Sequence, residues 1–222
     1  MCFKKNDMMD QEIEIINTST RKEKIINFFI NNKKKIATLA VIIILTIFGY
    51  FYYEELKSKK KKNLADQYNK TIIKFELGQK ENIEKELKEI IHIKDSTYSV
   101  LAFYFLLDND LINSNEETNK YFDILIDEIV LDQENKNLII FKKGLFNSDF
   151  ATENEMLNIL NTVIKSESIW KPHALYLMAE FYLAKNEKQK AKEFFNQLAN
   201  LNNTNDKIKT EAQKRLRADF SE

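Results

Sequence analysis

His92 and His173 are the two side chains of this sequence whose ordinary pKa lies near neutrality, and 81 positions separate them. A zinc centre needs three or four His, Cys or carboxylate ligands at short spacings. Neither histidine has a cysteine or suitably spaced carboxylates beside it, so each reads as structural. Cys2 is the single cysteine, which excludes an internal disulfide and an all-cysteine zinc site. No G-x-S-x-G, H-E-x-x-H or glycine-rich phosphate loop occurs. The adjacent acids Glu116–Glu117 and Asp127–Glu128 are of a type that performs acid–base chemistry, but helix capping and solvation account for them. Trp170 could serve as a stacking platform, yet it enters a helix and reads first as a core anchor. No catalytic, cofactor-binding or metal-binding residue is assigned, and the chain is expected not to be an enzyme.

The elements that would position any site are helices. Three glycines and one proline in 222 residues cannot supply the turns that a β-rich fold needs. The formal charge of zero hides an asymmetry: residues 1–62 carry 13 Lys/Arg against 7 Asp/Glu, and residues 63–222 carry 21 against 27. A domain of net −6 lacks the basic face that nucleic acid requires. The positive charge instead flanks the one long apolar run, as in membrane proteins.

That run, Ile36 to Tyr53, has 18 residues without a charge. As a helix it spans roughly 27 Å, close to the hydrocarbon thickness of a bilayer. Lys33, Lys34 and Lys35 precede it, where their stems can snorkel, and Tyr50, Phe51, Tyr52 and Tyr53 end it as an aromatic belt. A long segment before the run and bulky residues at its end are unlike a cleaved signal peptide. We therefore expect a membrane-spanning signal anchor at 36–53, a short basic tail at 1–35, a lysine-rich solvated neck at 54–62 that touches lipid headgroups, and a helical domain at 63–222. Orientation stays open on charge alone. Six basic residues lie within twenty positions on each side, Arg21, Lys22, Lys24 and Lys33–Lys35 upstream, Lys57, Lys59–Lys62 and Lys70 downstream.

Beyond the neck, apolar residues recur at helical spacing. The stripes are Leu64/Tyr68/Ile72/Phe75, Ile83/Leu87/Ile90/Ile91, Tyr98/Leu101/Ala102/Phe105, Phe122/Leu125/Ile126/Ile129, Leu138/Phe141/Leu145 and Leu157/Leu160/Ile164. Gly78 is placed to end the first helix in a left-handed conformation. Ser114–Glu117 and Thr152–Glu155 have the form of capping boxes, and Ser168 is placed to cap the helix holding Pro172 in its first turn. Breaks near Gly78, Asn113, Ser148 and Asn186 are 35, 35 and 38 residues apart. A period near 34 made of helix pairs is the signature of tetratricopeptide-type repeats. The pattern predicts an all-α fold: an N-terminal transmembrane helix, an α-solenoid of about four degenerate tetratricopeptide-like pairs, and a capping helix over Lys207 to Phe220. Leu175, Met178, Ala179, Tyr182, Ala191, Phe195 and Leu198 follow the repeat spacing best, although Asn186, Leu198 and Asn203 stand where glycine, alanine and proline are usual. On that last repeat, His173, Tyr176, Glu180 and Leu183 occupy the ligand-facing positions and are expected to contact an extended peptide or partner helix.

Basic tail, anchor, lysine-rich neck and four degenerate pairs together resemble the ancillary subunit family of the bacterial Sec translocon, with the best local match in HALYLMAEFYLAKNEKQKAKEFFNQL, His173 to Leu198. The resemblance implies an inner-membrane protein with a cytosolic N-terminus and a periplasmic domain. It further implies partners among translocon subunits, secretory clients and periplasmic chaperones. The residues alone support a membrane-tethered interaction module. Within that class, an envelope scaffold for division or wall machinery and a cytosol-facing docking module remain alternatives.

Overall fold

The computed structural model describes residues 4–202 and 206–220, with side chains from Arg21 onward. Cys2 and Asn203 lie outside the described residues. Every regular element among those residues is helical: α1 (Lys4–Glu76), α2 (Ile83–His92), α3 (Tyr98–Asp108), α4 (Asn115–Asp123, followed by a π-helical turn over Ile124–Glu128), α5 (Gln133–Asn147), α6 (Glu153–Lys165), α7 (Lys171–Ala184), α8 (Lys188–Ala199) and α9 (Asp206–Phe220). The chain divides into two compact units, Met1–Asn63 and Leu64–Glu222, and α1 contributes to both.

In the first unit, α1 contains the one helical stretch among the described residues that is long and apolar enough to cross a membrane. None of its apolar window is buried against protein, so it is not a core helix of this chain. Residues 54–62 are helical and exposed, and Lys59 pairs with Glu55 one turn earlier.

The second unit is a solenoid of helix pairs: the end of α1 with α2, then α3 with α4, α5 with α6, and α7 with α8, closed by α9. Three of the four turns inside pairs share one device. Gly78, Asp110 and Asn186 have φ of 79°, 51° and 62°. In each case the next residue donates its N–H back to the carbonyl five positions earlier, as Gln79 does to Lys74, Leu111 to Leu106 and Glu187 to Tyr182. This is the Schellman arrangement, which satisfies carbonyls that a helix end would otherwise leave free. Asp110 is the left-handed residue of the second turn, three positions before Asn113. The fourth turn, α5 to α6, instead uses the complete capping box of Thr152 and Glu155. Asparagine tolerates the left-handed region better than residues with longer or branched side chains. Asn186→Ala should therefore lower stability by about 1 kcal/mol, with Asn186→Gly at least as stable as wild type; urea midpoints of the three proteins test that order.

The core runs along the solenoid as three clusters. The first gathers Leu87, Ile91, Phe103, Leu106, Phe122 and Leu125. The second is built on Met156, Leu160, Val163, Met178 and Tyr182, and the third on Leu175, Phe195, Leu198 and Ala212. Adjacent α5 residues divide between clusters, Ile139 in the first and Ile140 in the second. α5 thus bridges two successive clusters, as expected of stacked repeats. Gly144 of α5 sits where a Cβ would lie 2.6 Å from Cδ2 of the fully buried Leu160. That close approach lets α5 and α6 pack tightly.

Four of the sequence expectations need correction. On α3, Ala102, Phe103 and Leu106 are buried while Leu101 is exposed. On α5, Ile139, Ile140 and Gly144 face inward and Leu145 is exposed. Both helices are apolar on several sides because each meets its pair partner and the helices of neighbouring pairs, so periodicity points to no single face. Ser114 accepts the N–H of Glu117, but the reciprocal half of the box is absent because Glu117 turns to Lys88 and Tyr121. Ser168 sits earlier than the N-cap, which is Trp170. Its Oγ accepts the Trp170 N–H and donates to Glu134 of α5.

Candidate protein-interaction face

The first helices of successive pairs stand side by side, and their contacts define one face of the solenoid. Tyr68 of α1 meets Tyr98 of α3 at 5.8 Å between ring centroids, and Phe75 meets Phe105 at 5.1 Å, edge to face. From α3 to α5, Lys142 Nζ lies 4.0 Å from the centre of the Tyr104 ring. Burial pushes the Tyr104 hydroxyl's pKa up, and that hydroxyl hydrogen-bonds to none of the described residues. From α5 to α7, Phe141 stacks on Trp170 and meets His173 edge-on, at 5.9 and 5.8 Å. Aromatic rings thus carry the first-helix row. Each ring buries a large apolar area at little conformational cost and leaves an edge at the surface. Leu101 lies on α3 between the residues turned to α1 and the one turned to α5. Leu145 lies on α5 beside Phe141 and Lys142. They are 43% and 53% exposed among the described residues, apolar contact points open on this face.

The four residues singled out on α7 divide into two groups. His173 belongs to the α5 side, half-buried against Phe141 and Trp170, with Nδ1 buried and without a hydrogen bond among the described residues. Tyr176 and Glu180 belong to the α9 side. The Arg215 guanidinium donates to both Glu180 oxygens, Nε at 3.0 Å and Nη2 at 2.8 Å, and the Tyr176 ring meets Phe195 edge-on at 5.7 Å. Burial raises the Tyr176 hydroxyl's pKa. Leu183 is half-buried, at the lip of an open depression of about 490 Å³ shared with Glu180, Lys188, Arg215 and Asp219. Arg215 is the neighbour of Glu180 that reasoning on the last repeat alone misses. The available signal is its separation from Glu180, 35 positions, one repeat length. The pair is partly exposed, so its contribution is that of a surface ion pair, about 0.5–1 kcal/mol. Arg215→Met should speed amide hydrogen exchange in α9 while leaving α2 to α6 unchanged. Equal protection in wild type and variant would dismiss the pair as a clamp.

Charged contacts also tie the successive junctions: Lys88 to Glu117, Lys143 to Asp123, Lys190 to Glu153, then Arg215 to Glu180. Hydrogen bonds from Lys74 and Thr71 hold the Glu86 carboxyl below the ordinary value of 4.5. Lys88, with Tyr121, does the same for Glu117, and Lys190, with Tyr182, for Glu153. A general acid at neutral pH needs a carboxyl shifted the other way. Because these folded values are depressed, the stability they contribute is present above 4.5 and is lost as pH falls through the lower folded values. The urea midpoint should be level between about pH 7 and 5 and fall below that. Lys88→Met, which removes the partner of Glu117, should make the fall shallower. Among the described residues no cluster of His, Cys, Asp or Glu is placed to hold a metal ion.

A family model described as a tetratricopeptide repeat-like domain matches residues 27–115. The match takes in the apolar segment, the pair formed by α1 and α2, all of α3 and the first residue of α4. It supports a tetratricopeptide-like fold at the end of the chain opposite to the repeat that is clearest in sequence. No curated protein and no solved structure matches the chain significantly.

Proposed function

We propose that this protein is a membrane-anchored docking module, an ancillary subunit of the Sec translocon that passes secreted chains to periplasmic chaperones. Its N-terminal residues 1–35 face the cytosol and its helical domain faces the periplasm. The coarse part of the reading has the firmest support. A tetratricopeptide-like repeat domain points to protein partners and is ordinarily non-catalytic. The observation that carries the reading is the row of first helices, with Leu101 and Leu145 exposed among aromatic rings. Exposed apolar anchors on adjacent first helices suit an extended or helical apolar segment such as an unfolded secretory chain presents. The placement beside the translocon rests on the resemblance described above.

Two measurements test it. An export-dependent reporter fused after Glu222, with a matched fusion before the anchor, reads the orientation; activity of a cytosol-dependent reporter at the C-terminus would reverse it and end the translocon reading. A photo-crosslinker at Leu101, Leu145 or Tyr176 should trap translocon subunits or secretory chains in cells. Wall synthases in their place would make the protein an envelope scaffold.

A further inference from the structure

The described part of the tail carries an apolar face that neither the repeats nor the spanning segment uses. At about 100° per residue, Ile25, Ile26, Phe28, Phe29 and Ile30 cover one arc of roughly 200°. Glu23, Lys24, Asn27 and Asn31 fill the opposite arc. All five apolar side chains are exposed, between 55% and 60%. Arg21, Lys22, Lys24 and Lys33–Lys35 surround this segment against the single acid Glu23. We propose that residues 21–30 lie along the bilayer surface as an amphipathic helix, apolar face in the headgroup–acyl boundary and lysines on anionic lipid.

The proposal rests on residues 36–53 being membrane-spanning. Given that, the surface within reach of Ile25–Ile30 is the bilayer itself, and a basic helix matches anionic headgroups in charge. A helix continuing straight along the membrane normal would lift Phe28 roughly 12 Å beyond Ile36, past most of the interfacial layer. Lying down therefore requires a bend between Ile30 and Lys33. Asn31 and Asn32 stand there, both poor helix formers. Asn32 Nδ2 already donates to the carbonyl of Phe28 at 2.9 Å. That carbonyl keeps a partner when the backbone bond opens, which lowers the penalty for bending a helix near lipid. Lys22 and Lys33 fall at the two ends of the apolar face, where their stems can snorkel outward.

The test places tryptophan at single positions of the full-length protein in a Trp170→Phe background, reconstituted in vesicles of phosphatidylcholine and phosphatidylglycerol. Lipids brominated near the headgroup or near the chain ends read depth. Ile43→Trp should be quenched by the deep bromines; its failure to respond would remove the spanning segment, and the proposal with it. With that established, Phe28→Trp should show blue-shifted emission and quenching by the shallow bromines. Asn27→Trp, on the opposite face, should emit as in water and escape quenching. Omitting phosphatidylglycerol should reverse the shift at Phe28. Water-like emission at both positions would mean a helix leaving the membrane straight, and deep quenching at both would mean insertion. Either result overturns the proposal while leaving the spanning segment in place.

Discussion

Replacing Phe122 by alanine is expected to cost the helical domain about 3–5 kcal/mol, the usual range for emptying a fully buried phenylalanine site. Phe122 is completely buried. Its ring meets Phe103 of α3 edge-on at 4.7 Å and lies 5.9 Å from Phe146 of α5. It therefore fills the core of the second pair and also joins that pair to the third. Folded domains are stable by only about 5–15 kcal/mol in total, so one such loss is a large share. A solenoid sums nearest-neighbour couplings, and weakening one junction should let its two sides unfold separately. Trp170 belongs to the second core cluster and reports on the far side of that junction. In urea, its fluorescence should coincide with the far-ultraviolet circular dichroism transition in the wild type. In Phe122→Ala the dichroism should fall first and the tryptophan later. Phe122→Leu keeps most of the volume and should cost under about 1.5 kcal/mol. Coincident, unshifted transitions in the alanine variant would show that the junction does not carry the coupling assigned to it.

Two aspartates at Ile43 and Ile44 should remove the protein from the membrane. The pair lies at the middle of residues 36–53, where each aspartate costs about 2.5–3.5 kcal/mol and each isoleucine contributes about −0.3 to −0.6. The combined change is roughly 6–8 kcal/mol, too large for snorkelling to offset from the centre of a span. Both side chains are about half exposed on a helix that buries nothing of its apolar window, so the substitution breaks no internal packing. The double variant should appear in the carbonate-soluble fraction, with the circular dichroism of the helical domain retained. Ile43→Leu with Ile44→Leu should stay membrane-bound. Aspartate variants that resist carbonate would remove the spanning role from this helix.

Several features were legible because they are local. Turn positions near Gly78, Asn113, Ser148 and Asn186 follow from residue types that tolerate or cap a helix end, and the Thr152 box needs only a residue three positions away. Helices with one apolar stripe were equally readable. Ile83, Leu87, Ile90 and Ile91 on α2, and Ala191, Phe195 and Leu198 on α8, are all buried. The apolar run at 36–53 is legible for the same reason, since length and absence of charge are properties of the run alone.

Tertiary structure decided what depends on neighbours a repeat away. The inward faces of α3 and α5 could not be read from helices that are apolar on several sides and packed on several sides. Glu117, placed to complete a cap, is drawn off by Lys88, 29 positions back. Glu180, read as a partner contact, is held by Arg215 from α9. Gly144 looks like a weak point in a helix until α6 brings Leu160 against it. The i, i+3 and i, i+4 relations that make a helix lie within the sequence window. The choice among faces belongs to the stacking of repeats, where buried area and charge pairing between distant segments outweigh local preference.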